Sequence, residues 1–246
     1  MIILFYPEPL LPHSKVARIL AKRPDVRWHN NPRKPHDIHI FWSYTPKKIK
    51  PDIVTKQSAN VINRGCYNIS KVKVNNVFND ISVDPLTHRG VCVEKIDRQG
   101  KHKHHRLITC PAQPRRKYIY QRFFENRDGE MFVSYRIHYA DGIKIVEKRK
   151  KPAPFMSGET REILNIRDFF NPEQEKDLVR KCVEFGFNYG EIDFQMAGST
   201  PVVIDINNIV GGTRKSDKIN PALTEQSKKV FWNYMQWCLI NARAYE

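Results

Sequence analysis

Apolar and polar positions alternate with a two-residue period in several short runs, and helical spacing is confined to a few stretches between them. Residues 2–6 form an apolar strand, and Val16, Ile19 and Leu20 behind Ser14 predict a helix over 14–22. Strands at Asp37–Trp42 and Val61–Asn63 complete a small α/β lobe ending at residue 65. A helix follows from Lys71 to Phe78, then strands at Gly90–Lys95 and Tyr118–Phe124 separated by a polar turn at Asp97–His105. Met131–Tyr139 and Ile143–Arg149 alternate on either side of Asp141-Gly142, a strong hairpin signal. Residues 150–172 carry prolines and little periodicity, which predicts an excursion or mobile flap. Leu178, Val179, Cys182 and Val183 then mark a helix over Pro172–Phe185, with Asn171 as cap and Pro172 at its first position. Two strands, Tyr189–Met196 and Val202–Asn207, precede a long amphipathic helix over 222–244 with Phe231, Tyr234 and Trp237 at spacing three. The fold class is α+β, and the expected division is 1–65, 66–130 and 131–246, the last including the C-terminal helix.

Composition narrows the function. Lysine and arginine number 42 against 26 acidic residues, a formal charge of +16 that calls for an anionic ligand. The basic residues are scattered and no nucleic-acid module is present, which argues against nucleic acid as the target. No apolar stretch approaches the roughly 20 residues of a membrane span, and Met1–Tyr6 lacks the charged start of a signal peptide. The five cysteines, without a CxxC pair, suit reduced packing thiols. The expected location is the cytoplasm.

Candidate chemistry concentrates in Gly190-Glu-Ile-Asp193 and Val203-Ile-Asp205-Ile-Asn207, followed by Gly211-Gly212. In an antiparallel hairpin Asp205 and Asn207 share a face, and Asp193 on the partner strand can join them. Hard oxygen donors of this kind suit magnesium, which takes one or two carboxylates and completes its shell with substrate phosphates.

This segment resembles the end of an ATP-grasp domain, in which two acidic residues on successive strands and an asparagine bind magnesium and ATP phosphates. The resemblance extends over residues 60–215. Val91-Cys-Val-Glu-Lys95 resembles the strand whose lysine reaches the nucleotide phosphates, and Lys71 after Ile69-Ser70 resembles the second nucleotide lysine. Tyr118-Ile-Tyr-Gln-Arg-Phe-Phe-Glu125 resembles the strand and hinge that hold adenine. The resemblance gives Gln121 and Phe123 backbone contacts to the base and Glu125 the ribose hydroxyls. Arg136 resembles the arginine beside the transferring phosphoryl group, with Lys148 or Arg149 as a second catalytic cation. The implied fold is two α+β lobes with a short N-terminal α/β lobe. The implied activity is a ligase that uses ATP and Mg2+ to join a carboxylate to an amine through an acyl-phosphate; a kinase-like transfer or a catalytically degraded nucleotide or anion binder are the alternatives. The implied partners are ATP and an anionic acceptor.

Two features depart from that pattern. The loop Asp97–Arg106 has one glycine where relatives are glycine-rich; its His102, His104 and His105 fit a transition metal less well than a solvated basic loop. Asp205 occupies a position that is usually glutamate, which shortens the metal ligand by one methylene.

Overall fold

The computed structural model describes residues 1–42, 61–66, 68–97, 105–156, 160–208 and 219–243. The expected Gly211-Gly212 turn and His102 and His104 lie outside the described residues.

The N-terminal apolar run is strand β1 (Ile2–Pro7), followed by helix α1 (Lys15–Leu20), β2 (Arg27–His29), β3 (Ile38–Trp42) and β4 (Val61–Ile62). They form a parallel sheet in the order β2-β1-β3-β4. Ser14 caps α1 by accepting from the Ala17 N–H at 3.2 Å. Alternation sends Ile3, Phe5, Ile38, Ile40 and Trp42 to one side. The partner on that side is the C-terminal helix, whose Phe231, Tyr234, Met235 and Cys238 join the same core. That helix, placed with the C-terminal lobe on sequence alone, buries its apolar stripe against the N-terminal sheet.

Helix α2 (Lys71–Phe78), capped by Ser70, leads into β5 (Gly90–Ile96), β6 (Arg106–Cys110) and β7 (Tyr118–Arg122), an antiparallel sheet in the order β6-β5-β7. The third sheet contains β8 (Arg127–Asp128), β9 (Met131–Ala140), β10 (Ile143–Lys151), β11 (Thr160–Leu164), β12 (Tyr189–Ala197) and β13 (Thr200–Asn207). Its main path is β11-β10-β9-β12-β13, with β8 paired to β9. Asp141 (φ +45°) and Gly142 (φ +128°) make the predicted hairpin turn between β9 and β10.

Helix α3 (Pro172–Phe185) covers one face of this sheet. Its Leu178, Cys182 and Phe185 share a core with Ile137, Ile192, Phe194 and Ile206. A capping box joins Asn171 and Gln174 at its start, and Gly186 in the left-handed conformation ends it. Gly186 abuts Gly65 so closely that a Cβ there would lie 2.4 Å from the Gly65 Cα. Beside this contact, buried Asn63 staples the first sheet to β12: its Oδ1 accepts from the N–H groups of Asn188 and Tyr189, and its Nδ2 donates to the Tyr189 carbonyl. The C-terminal helix, α4 (Pro221–Arg243), crosses to the first sheet, and Tyr234 donates to Asp141 at 2.7 Å.

The expected excursion over 150–172 differs from the structure. β10 runs to Lys151 and β11 pairs with it antiparallel. This pairing is held by charge: Arg161 on β11 forms two hydrogen bonds, 2.5 and 2.7 Å, with Glu147 on β10.

Candidate nucleotide and metal site

The face of the third sheet opposite α3 is polar, and it is built rung by rung from strand register. Asp205 on β13 pairs with Asp193 on β12, Asp193 pairs with Arg136 on β9, and Arg136 pairs with Glu147 on β10. The adjacent rung brings Glu191 opposite both Asn207 and His138. A bulge in β13 places Ile204 and Asp205 together against Asp193, so an apolar and an acidic side chain both line the cavity.

That cavity, about 310 Å³, lies between the polar face and the small sheet of β5 to β7. Lys95, Gln121 and Phe123 line it from the small sheet and the hinge, and Arg136, Asp193 and Asp205 line it from the large one. Lys71, at the first position of α2, brings its Nζ to 3.8 Å from the Asp205 Oδ2. Lys71 and Lys95 are both buried. Burial pulls the Lys95 ammonium down to about 8; Asp205 and Asp193 oppose the shift and neighbouring Lys71 adds to it.

Two arginines grip Asp193. Arg136 donates from Nε at 2.7 Å and from Nη2 at 3.0 Å, one bond to each carboxylate oxygen, and Arg149 adds a third at 2.7 Å. Burial alone would raise this carboxyl, but the two guanidiniums outweigh it and hold Asp193 well below the usual carboxylate range. Arg136 also donates to Glu191. Glu147, fully buried, is likewise held low by His138, Arg161 and Arg149 against the cost of its burial. His138 bridges onward to the Ser227 hydroxyl on α4 at 3.1 Å, so the charged face is tied to the C-terminal helix.

The remaining expected site residues fall elsewhere. Lys148 has the wrong parity: inward positions on β10 are 147, 149 and 151, and Lys148 pairs with Asp128 at 2.6 Å outside the cavity. Of the two cations left open on sequence, Arg149 is the one that lines the cavity. Glu125 is half-exposed and bonded to Arg127, away from the cavity lining. Asn207 stands opposite Glu191 one rung below Asp205, outside the cavity lining. Glu147, Lys151 and Glu191 were not singled out from sequence. The available signal was the two-residue period of Glu147-Lys-Arg149-Lys-Lys151, which puts Glu, Arg and Lys on one face.

The donors of Asp193, Asp205 and Asn207 are carboxylate and carboxamide oxygens, of the type Mg2+ prefers. Among the described residues no three His, Cys, Asp or Glu side chains form a ready-made ligand cluster. Asp193 already has both oxygens on arginine, whereas Asp205 lies on the cavity wall beside Lys71. The set fits a cation completed by ligand phosphates rather than one caged by protein alone.

Solved structures that the chain resembles over nearly its whole length are ATP-grasp proteins, and the chain has that fold. Among solved structures it is similar to the ATP-grasp ligase PsnB complexed with minimal precursor, Mg and ADP (12% identity, 95% of this chain and 96% of that one, TM-score 0.59). It is similar also to D-alanine–D-alanine ligase from Bacillus anthracis complexed with ATP (10% identity, 100% and 98%, TM-score 0.58). A third likeness is to a RimK domain ATP-grasp protein from Sphaerobacter thermophilus (10% identity, 94% and 98%, TM-score 0.51). No protein-family model and no curated protein sequence matches the chain. No helix among the described residues is long and apolar enough to cross a membrane.

Proposed function

We propose that the protein is an ATP- and Mg2+-dependent ligase that activates a carboxylate as an acyl-phosphate and passes it to an amine. The observation that carries this reading is the convergence of Lys71, Lys95, Arg136, Asp193 and Asp205, from five separate elements of an ATP-grasp fold, on one cavity and its border.

Lys71 and Lys95 bind phosphate oxygens, and the apolar wall with Gln121 and Phe123 receives the base. Gln121 is oriented for this: its Nε2 donates to Asn75 at 2.7 Å, while its buried Oε1 has no protein partner. Asp205, on the cavity wall, holds the cation, and ligand phosphates complete its shell. When bound, Mg2+ neutralises phosphate charge as the phosphoryl group moves. Arg136, steadied by Glu191, and Arg149, steadied by Glu147, present guanidinium N–H groups where negative charge develops on the acyl-phosphate. PsnB with its precursor peptide, and the D-alanine ligases, suggest an amino acid or peptide as the carboxylate or amine.

The test is ATP consumption with panels of amino acids and peptides, read as ADP and as new amide by mass spectrometry. Equal ADP and amide support the ligase. Phosphate retained on a hydroxyl would show a kinase. One observation favours a second reading, a nucleotide binder without turnover: both Asp193 oxygens are engaged by arginine. Nucleotide binding with no ADP formed across the panels would establish that reading instead.

A further inference from the structure

A stack of aromatic rings leads from the core to a second cavity. Tyr189 of β12 stacks on Tyr234 of α4, with 5.5 Å between ring centroids and 7° between planes. Tyr234 stacks in turn on Trp237, one helical turn further along, at 5.7 Å and 12°. Tyr189 and Tyr234 are buried, whereas Trp237 is 52% exposed. The ladder thus ends on a ring that the protein leaves half covered. Tyr234 and Trp237 form part of the wall of a cavity of about 430 Å³ between α4 and the β9–β10 turn. Small-molecule sites occupy roughly 300–1,000 Å³.

Charge of both signs stands beside these rings. Asp141 occupies the turn in a left-handed conformation, and Tyr234 donates to its Oδ2 at 2.7 Å. That bond fixes the carboxylate and leaves Oδ1 without a hydrogen bond among the described residues. Lys144 folds back over the same turn, with its Nζ 3.8 Å from the place that a Cβ on Gly142 would take. It acts on Asp141 electrostatically, yet the two close no ion pair, and Lys144 has no hydrogen bond among the described residues. Asn233 adds a carboxamide to the same wall.

This combination narrows the ligand. A nucleotide would set its phosphates against Asp141, and a simple cation would meet Lys144. A zwitterion satisfies both, with its ammonium on the Asp141 Oδ1 and its carboxylate on the Lys144 Nζ. Both contacts are charge-assisted and so among the stronger hydrogen bonds available. A planar side chain on the same molecule would extend the ring ladder past Trp237.

We propose that this cavity binds a free α-amino acid with an aromatic side chain. It is separate from the nucleotide cavity, with which it shares no lining residue. Ala140 lines one and Arg136 the other, four residues apart on β9 and about 13 Å along the strand. The assignment does not depend on the nucleotide reading, and either can fail without the other.

The experiment is calorimetric titration of the full chain with L-phenylalanine, L-tyrosine and L-tryptophan, and with the amide and the N-acetyl derivative of each. Wild type should bind at least one of the free amino acids. Its amide lacks the carboxylate and its N-acetyl form lacks the ammonium, and each should bind at least tenfold more weakly. Trp237→Ala, Asp141→Asn and Lys144→Met should each weaken the free amino acid at least tenfold, with circular dichroism certifying the folds. The comparison of derivatives on wild type needs no variant. Binding of none of the three amino acids, derivatives that bind as tightly as their parents, or an affinity unchanged in all three variants would overturn the site. A wild-type dimer that Trp237→Ala dissolves in sedimentation would give this face to a second copy of the chain and would overturn it too.

Discussion

At the level of single residues, the site is governed by which charges are matched. Lys95 has its folded value drawn from 10.5 to about 8, chiefly by burial. The folded state therefore binds fewer protons than the unfolded chain between those values, so this residue makes stability rise with pH across that window and imposes its full cost below it. Ligand binding runs the other way, because phosphate needs the ammonium. Affinity for Mg·ADP should fall about tenfold between pH 7 and 9 in wild type. Lys95→Arg, whose guanidinium stays charged, should give a flat profile over that range; a parallel decline in both proteins would remove Lys95 from the phosphate site.

Gly190 makes the same point for backbone. It sits at φ +148°, and a Cβ there would stand 2.3 Å from the Asn207 carbonyl oxygen and 2.9 Å from the Phe187 ring. Gly190→Ala should cost at least about 2 kcal/mol in a denaturant titration. A loss under 0.5 kcal/mol (roughly the surface-substitution range) would show that β12 and β13 can part without penalty.

What the sequence made legible at this scale was residue type and parity. Asp193 and Asp205 were found because alternation predicts their shared face, and register pairs them directly. The partners of Asp193 were hidden, because Arg136 and Arg149 reach it across strands separated by long intervals of chain. Lys148 and Arg149, both open on sequence, differ by one residue, and in a strand one residue reverses the face.

Among the elements, those with local signals were the readable ones. α3 declared itself through Asn171-Pro172, its helical spacing and Gly186, and each signal has a physical counterpart in the structure. Asn171→Ala removes an N-cap acceptor and half of the capping box, and should lower stability by about 1 kcal/mol. Thermal melts of that variant should shift accordingly, while an unchanged melt would mean that tertiary packing alone holds the helix start.

β11 was not readable, because its sequence Thr160-Arg-Glu-Ile-Leu164 is mostly exposed and its reason for existing is Glu147, on a neighbouring strand. β6 and the two-residue β8 were missed as well. β6 lacks a buried face along most of its length, so its alternation is weak. The bulge at Ile204 left no mark in the sequence, though it lets an apolar residue and Asp205 face the cavity together.

For the whole molecule, the order of elements was legible and their closure was not. The C-terminal helix has the spacing of an amphipathic helix, but spacing cannot say which sheet receives it. The structure gives Phe231 and Tyr234 to the N-terminal core and leaves Trp237 half-exposed. One helix therefore joins the chain's two ends, and Ser227 on it reaches His138 behind the site. The fold gathers Lys71, Lys95 and Lys151, scattered along the sequence, from α2, β5 and β10 onto one cavity and its border.

The central claim is that this cavity holds a magnesium–nucleotide complex through Asp205 and its lysine neighbours. The most direct measurement is calorimetric titration with AMPPNP, with and without Mg2+, in wild type and Asp205→Ala. Wild type should bind in a Mg2+-dependent manner, and Asp205→Ala should lose at least tenfold in affinity together with most of that dependence. Nucleotide binding absent from wild type, or indifferent to both Mg2+ and Asp205, would contradict the account.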